Sequence, residues 1–190
     1  MRLILICIAL TGALVSPALA HTGVGQTNSF ASGIAHPLHG LDHILAMVAV
    51  GLWAVLAGSR AIWVWPMAFV TTMLAGFAAA TLGLQMPLVE PAIWSSIIIL
   101  GLLVALAVDA QVWLGAAIAG IFAFFHGHAH GTEATAANLI PYAVGFAVAT
   151  AGLHATGIGL GSFAERSIGK VAVRVMGGLA VLGGVALIAG

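Results

Sequence analysis

The sequence has 190 residues, 62% of them hydrophobic and 5% charged, with a formal net charge of zero and a mean hydropathy of +1.19. A soluble domain of this length needs several times as many charges to cover its surface, so lipid must be the solvent for most of the chain. Five Lys and Arg balanced by five Asp and Glu leave no basic patch for nucleic acid.

The chain opens as an export signal. Met1 and Arg2 form a minimal positive region, and Leu3 to Val15 an apolar one. Ser16 and Pro17 break it, and Ala18, Leu19 and Ala20 make an A-x-A cleavage site. The apolar run is too short to cross a hydrocarbon core, which takes about 20 helical residues. Cleavage leaves a mature chain beginning at His21 and removes Cys7, the one cysteine. Thiolate metal sites, disulfides and cysteine nucleophiles are then excluded together.

Six apolar stretches follow, at 41–58, 62–82, 91–109, 112–126, 136–158 and 170–189. Their continuous apolarity predicts transmembrane helices, whereas a barrel strand alternates. The expected fold is an all-α membrane protein of about six transmembrane helices, forming a single domain over 21–190. After the signal the basic residues are Arg60, Arg166, Lys170 and Arg174. Even alternation puts all four on one side, which the positive-inside rule makes cytoplasmic. Both mature termini are then periplasmic, as signal cleavage requires independently. Asp109 reads as an interfacial residue, Glu90 as a loop acid, and Gly159 to Gly169 as a connection. Trp53, Trp63, Trp65, Trp94 and Trp113 lie mostly near span ends and read as interfacial anchors.

Two polar clusters interrupt this apolar pattern. The first comprises His36, His39, Asp42 and His43, with Met47 one turn further on. Pro37 suits the first turn of a helix starting near His36. Spacing of i, i+3, i+7 then predicts one stripe for His36, His39 and His43. Counting back about 20 residues from Gly58 draws Asp42 and His43 into the membrane zone, where ionisable side chains are costly and functional by default. The second cluster runs from Phe125 to Glu133. If the fourth helix continues, His126, His130 and Glu133 share a face at i, i+4, i+7 while His128 points away. Gly127 and Gly131 permit close backbone approach or local unwinding. A His-rich loop that scavenges metal from solvent is the plainer alternative, most apt for His128. Imidazole nitrogen and carboxylate oxygen suit nickel, cobalt, zinc or copper(II) better than magnesium or calcium.

Two further histidines stay open. His21 either chelates through its imidazole and free amine or is exposed and mobile. His154, inside the fifth span, is an inner station on a pathway or a packing histidine bonded to a backbone carbonyl.

The sequence resembles the HupE/UreJ family of nickel and cobalt permeases. His36, Asp42 and His43 match its H-x5-D-H pattern, and Phe125 to Glu133 its F-H-G-x-A-H-G-x-E pattern, in the same order of signal peptide and then about six spans. The resemblance implies uptake of nickel or cobalt across the bacterial inner membrane, serving enzymes such as hydrogenase or urease. Carried over by position, it points to His36, Asp42, His43, His126, His130 and Glu133; His39 and His128 fall at variable positions. The expected protein is a permease without a catalytic cofactor, its metal being cargo. No nucleotide-binding motif occurs, so facilitated, potential-driven or ion-coupled transport is expected. An intramembrane zinc hydrolase and a periplasmic metal sensor or chaperone are the rival functions.

Overall fold

The structure, a computed structural model, describes residues 29–58, 60–134 and 139–189. The expected signal and His21 lie outside them. The described residues form seven helices and no strand: α1 (Phe30–His39), α2 (Leu41–Ala57), α3 (Ala61–Thr81), α4 (Val89–Ala105), α5 (Val112–Glu133), α6 (Leu139–Ser167) and α7 (Lys170–Ala189). In lipid a chain must satisfy its own backbone polar groups, and a helix does so within one segment.

The first expected span is where structure and sequence pattern part. The segment before it is a separate helix, α1, started by a capping box in which Ser29 Oγ accepts from the Ser32 amide at 3.0 Å and Ser32 Oγ accepts from the Ser29 amide at 2.9 Å. At Gly40 the chain leaves helical geometry (φ −90°, ψ 113°), and α1 and α2 meet at 86°. A side chain at Gly40 would sit 2.6 Å from Asp42 Oδ1 and 2.9 Å from His43 Nδ1, so only glycine lets the carboxylate and imidazole fold back over the bend.

Helices α3, α5, α6 and α7 are each long and apolar enough to cross a membrane, and the bent α1–α2 pair passes the same test together, as a broken span or a re-entrant loop. With 17 residues, α4 is about 26 Å long, just short of the ~30 Å hydrocarbon core. It ends at Ala105, so Asp109 lies beyond it, exposed; Glu90 is in its first turn rather than in a loop. An acid there complements the helix dipole. The fifth expected span continues to Ser167, so most of the expected connection at 159–169 is helix. Glycines that would break a helix in water are common in membrane helices. The helix stops at Gly169, whose φ of 104° suits glycine and whose amide bonds back to Ala164.

Helix α2 lies at the centre, packed on α3, α4, α6 and α7, with Ala46, Met47, Ala49, Val50, Leu52, Trp53 and Ala54 buried. Large apolar side chains such as Trp63, Ile140, Phe163 and Leu182 point outward, as a lipid-facing surface requires. The most extensive contact joins α3 to α5. Gly76 of α3 lies on the Phe124 carbonyl of α5, and Gly127 of α5 on the Met73 carbonyl of α3, so the two backbones touch.

Two tryptophans contradict their reading as anchors. Trp53 and Trp65 are wholly buried, with ring centroids 4.1 Å apart. Their indole N–H groups donate to the Val108 and Val112 carbonyls, each at 2.8 Å, and so pin the α4–α5 connection under the bundle. Trp63, Trp94 and Trp113 are exposed, as anchors should be.

Candidate metal site

The two polar clusters meet where α2 begins and α5 ends. Helix α5 runs unbroken to Glu133, which puts His126, His130 and Glu133 on one face. Gly127 and Gly131 supply close contact with α3, and the helix does not unwind there. Across from that face stands His43, which is buried like His126 and His130.

Hydrogen bonding settles which ring nitrogens carry protons. His43 Nδ1 lies 2.8 Å from Asp42 Oδ1, and a carboxylate only accepts, so Nδ1 donates and Nε2 is left with its lone pair. His130 Nε2 lies 2.5 Å from that Nε2 and so donates its N–H to it. Its other nitrogen, Nδ1, is 3.9 Å from Glu133 Oε2. His126 Nδ1 donates to the Phe122 carbonyl at 2.9 Å, leaving a bare Nε2 that is buried and has no hydrogen-bond partner. The His126 ring lies 5.1 Å from that of His43.

Helix α1 adds the mouth of the site. His36 Nε2 approaches Glu133 Oε2 at 3.6 Å, and its ring packs edge-on against His130 at 4.6 Å. One ligand atom from each of His36, His130 and Glu133 fits within 4.8 Å of the others, and His36 and Glu133 are partly exposed. Ligands about 2.1 Å from a cation stand about 3 to 4 Å apart, so a small inward shift closes this trio on an ion. Donors from three helices thus form a column: Glu133 and His36 at the mouth, His130 and His43 beneath, His126 deepest.

Not every expected residue joins it. The bend at Gly40 breaks the stripe expected for His36, His39 and His43. His39 is exposed and bonds through Nδ1 to the Ala35 carbonyl at 2.6 Å. His128 does point away, but into protein rather than solvent: it is buried, and its Nε2 donates to the Leu84 carbonyl at 2.7 Å. Met47 is wholly buried in the core one turn beyond His43, and His154 lies deeper still, on α6.

Sequence reasoning missed Tyr142. Its ring centroid is 6.4 Å from His36, and its hydroxyl is buried without a partner. The signal was present: it is the one tyrosine in the chain, and it opens a run of Tyr142, Phe146, Thr150 and His154 at four-residue spacing in a helix otherwise rich in glycine and alanine. All four are buried, and Phe146 packs on His130 at 4.3 Å.

Fold and site together define a multi-pass helical membrane protein with nitrogen and oxygen donors gathered inside one end of the bundle. The sequence model of the family described as HupE / UreJ protein matches residues 8–187. Protein HupE of Rhizobium leguminosarum bv. viciae is 46% identical over 180 residues, which cover 94% of this chain and 94% of that protein. The chain belongs to the HupE/UreJ family. No solved structure matches it.

Proposed function

We propose that this protein is an inner-membrane permease that takes up a divalent transition metal, nickel or cobalt, from the periplasm. The observation that carries the reading is the convergence of His36 from α1, Asp42 and His43 from α2, and His126, His130 and Glu133 from α5. Imidazole and carboxylate together suit such a cation, and Asp42 orients His43 with its lone pair turned inward. An ion bound between His43 and His130 takes the place of the proton there, which a neutral His130 then carries on Nδ1, the nitrogen facing Glu133.

Membrane polarity supports inward transport. Helices α2 and α6 both begin near the cluster and end toward Arg60 and Arg166, so the basic residues gather at the opposite end. Under the positive-inside rule that end is cytoplasmic, the cluster faces the periplasm, and cleavage after Ala20 leaves one domain over 21–190. An inside-negative potential of about 100 mV favours entry of a divalent cation by about 4.6 kcal/mol, which drives accumulation without a nucleotide. In the family the cargo is nickel or cobalt, and the consumers are enzymes such as hydrogenase or urease.

The test is metal uptake into proteoliposomes by the wild type and by His43→Ala. Accumulation lost in the variant is the expected result. Binding without accumulation in the wild type indicates a sensor or chaperone, and turnover of lipid or peptide indicates a hydrolase.

A further inference from the structure

His154 stands apart from the cluster and has no structural partner to explain it. It lies near the middle of α6, 1% exposed, with neither ring nitrogen hydrogen-bonded. Neutral imidazole always carries one N–H donor and one lone pair, and burying both unpaired is unfavourable. A packing histidine avoids this by bonding to a backbone carbonyl. His126 and His128 each do so in this protein, to Phe122 and Leu84. His154 does not.

Its surroundings are those of a site for a borderline or soft cation. Phe69 packs against both His154 and His126, with ring centroids 4.9 and 5.7 Å away, so His154 is one aromatic ring beyond the deepest nitrogen of the cluster. One turn from Phe69 on α3 is Met73, and one turn from His154 on α6 is Thr150; the Thr150 hydroxyl donates to Met73 Sδ at 3.4 Å. Close packing fixes the histidine's backbone, since Gly51 of α2 lies on the His154 carbonyl and Gly157 of α6 on that of Val48. Phe69 thus links a partner-free imidazole to the ring that carries the partner-free His126 Nε2, and the Met73 thioether lies one turn away, held by Thr150.

We infer that His154 is a second, inner metal-binding station, which receives a divalent transition-metal cation from His126 with the Met73 thioether as a supporting donor. The inference rests on the metal-uptake reading for its direction, though not for the site itself. Thioether and imidazole donors favour nickel, cobalt or copper over magnesium and calcium, so this station also rejects the abundant hard cations.

The full chain is purified and its cobalt(II) stoichiometry measured by equilibrium dialysis, alongside uptake into proteoliposomes. Three variants are compared with the wild type: His154→Leu, His154→Asn and His154→Met. The wild type should bind one more cobalt ion than His154→Leu or His154→Asn. Those two should keep the affinity of the remaining site within about twofold yet transport at least tenfold more slowly. His154→Met, which restores a soft donor, should regain part of the uptake, which a packing role would not produce. The inference is overturned if His154→Leu and His154→Asn bind the same number of ions as the wild type and transport at its rate while His43→Ala does not. If the wild type accumulates no metal, the permease reading fails, and the stoichiometry alone then decides whether the inner station exists.

Discussion

His43 and His130 stand Nε2 to Nε2, 2.5 Å apart, between the first turn of α2 and the last turn of α5. Asp42 accepts the hydrogen bond from the far side of His43, so only His130 can supply the proton between the two Nε2 atoms. Removing that proton leaves two lone pairs facing one place, which suits a cation better than it suits an empty pocket. Alanine at either position should lower metal uptake by at least 100-fold. Both nitrogens serve one ion, so the double variant should lose little more than the worse single variant. Initial uptake rates around the cycle measure this; additive losses would mean two independent sites.

The Asp42→Asn variant isolates the charge. Asparagine keeps the size and can still accept from His43 Nδ1, but it no longer makes the imidazole more basic or balances an incoming cation. Substituting such an orienting partner typically costs about 10- to 100-fold in metal affinity. Titration calorimetry in detergent should show a loss in that range, with thermal stability little changed.

Protons should compete with the metal. A ligating histidine must be neutral, and an unperturbed imidazole gains its second proton as pH falls through about 6.5. The site loses lone pairs on acidification, so uptake should fall as external pH drops from about 7.5 to 5.5 and recover on return. Uptake that is flat across this range would count against these histidines as ligands.

The positions of the membrane helices were legible because long apolar runs are unambiguous, and the boundaries at Ala61 and Lys170 lie within a residue of those expected. The bend at Gly40 was not legible. Pro37 and Gly40 are compatible both with a helix start and with a break between two helices, and spacing alone assumes a straight axis. The choice depends on α1 packing against α6, where Gly33 lies on the Tyr142 carbonyl and Gly145 on that of Phe30. In the same way, the histidine-bearing segments could be found from residue type. That His43 meets His130, that His39 meets neither, and that Trp53 stacks on Trp65 are matters of tertiary contact across 12 to 87 positions.

Glycine contacts divide into two kinds with opposite outcomes. At Gly127 an added Cβ would lie 2.6 Å from the Met73 carbonyl carbon, and backbone cannot move aside as a side chain can. Gly127→Val should therefore separate α3 from α5 and destabilise by about 3 kcal/mol or more, at the upper end for overpacking. At Gly159, also helical, nothing lies within 4 Å. Gly159→Ala should stabilise by about 0.5 to 1 kcal/mol through backbone entropy. Thermal unfolding in detergent checks both, and Gly159→Ala should leave uptake unchanged.

Orientation can be tested directly, because Cys7 is the one thiol in the sequence. With Cys7→Ser as background, a single cysteine reports its own side of the membrane. Thr132 is exposed in the last turn of α5, beside Glu133, while Ser167 is exposed where α6 ends next to Arg166. If the cluster faces the periplasm, Thr132→Cys should react with a membrane-impermeant maleimide in spheroplasts and Ser167→Cys only after lysis. The reverse pattern would put the histidine column at the exit, and a cluster there would retain metal arriving from the cytoplasm. Equal reaction from outside would mean that α6 does not cross the membrane, contrary to its 29 residues and its length of about 44 Å. The experiment therefore separates capture at entry from retention at exit, which the geometry of the ligands alone treats alike.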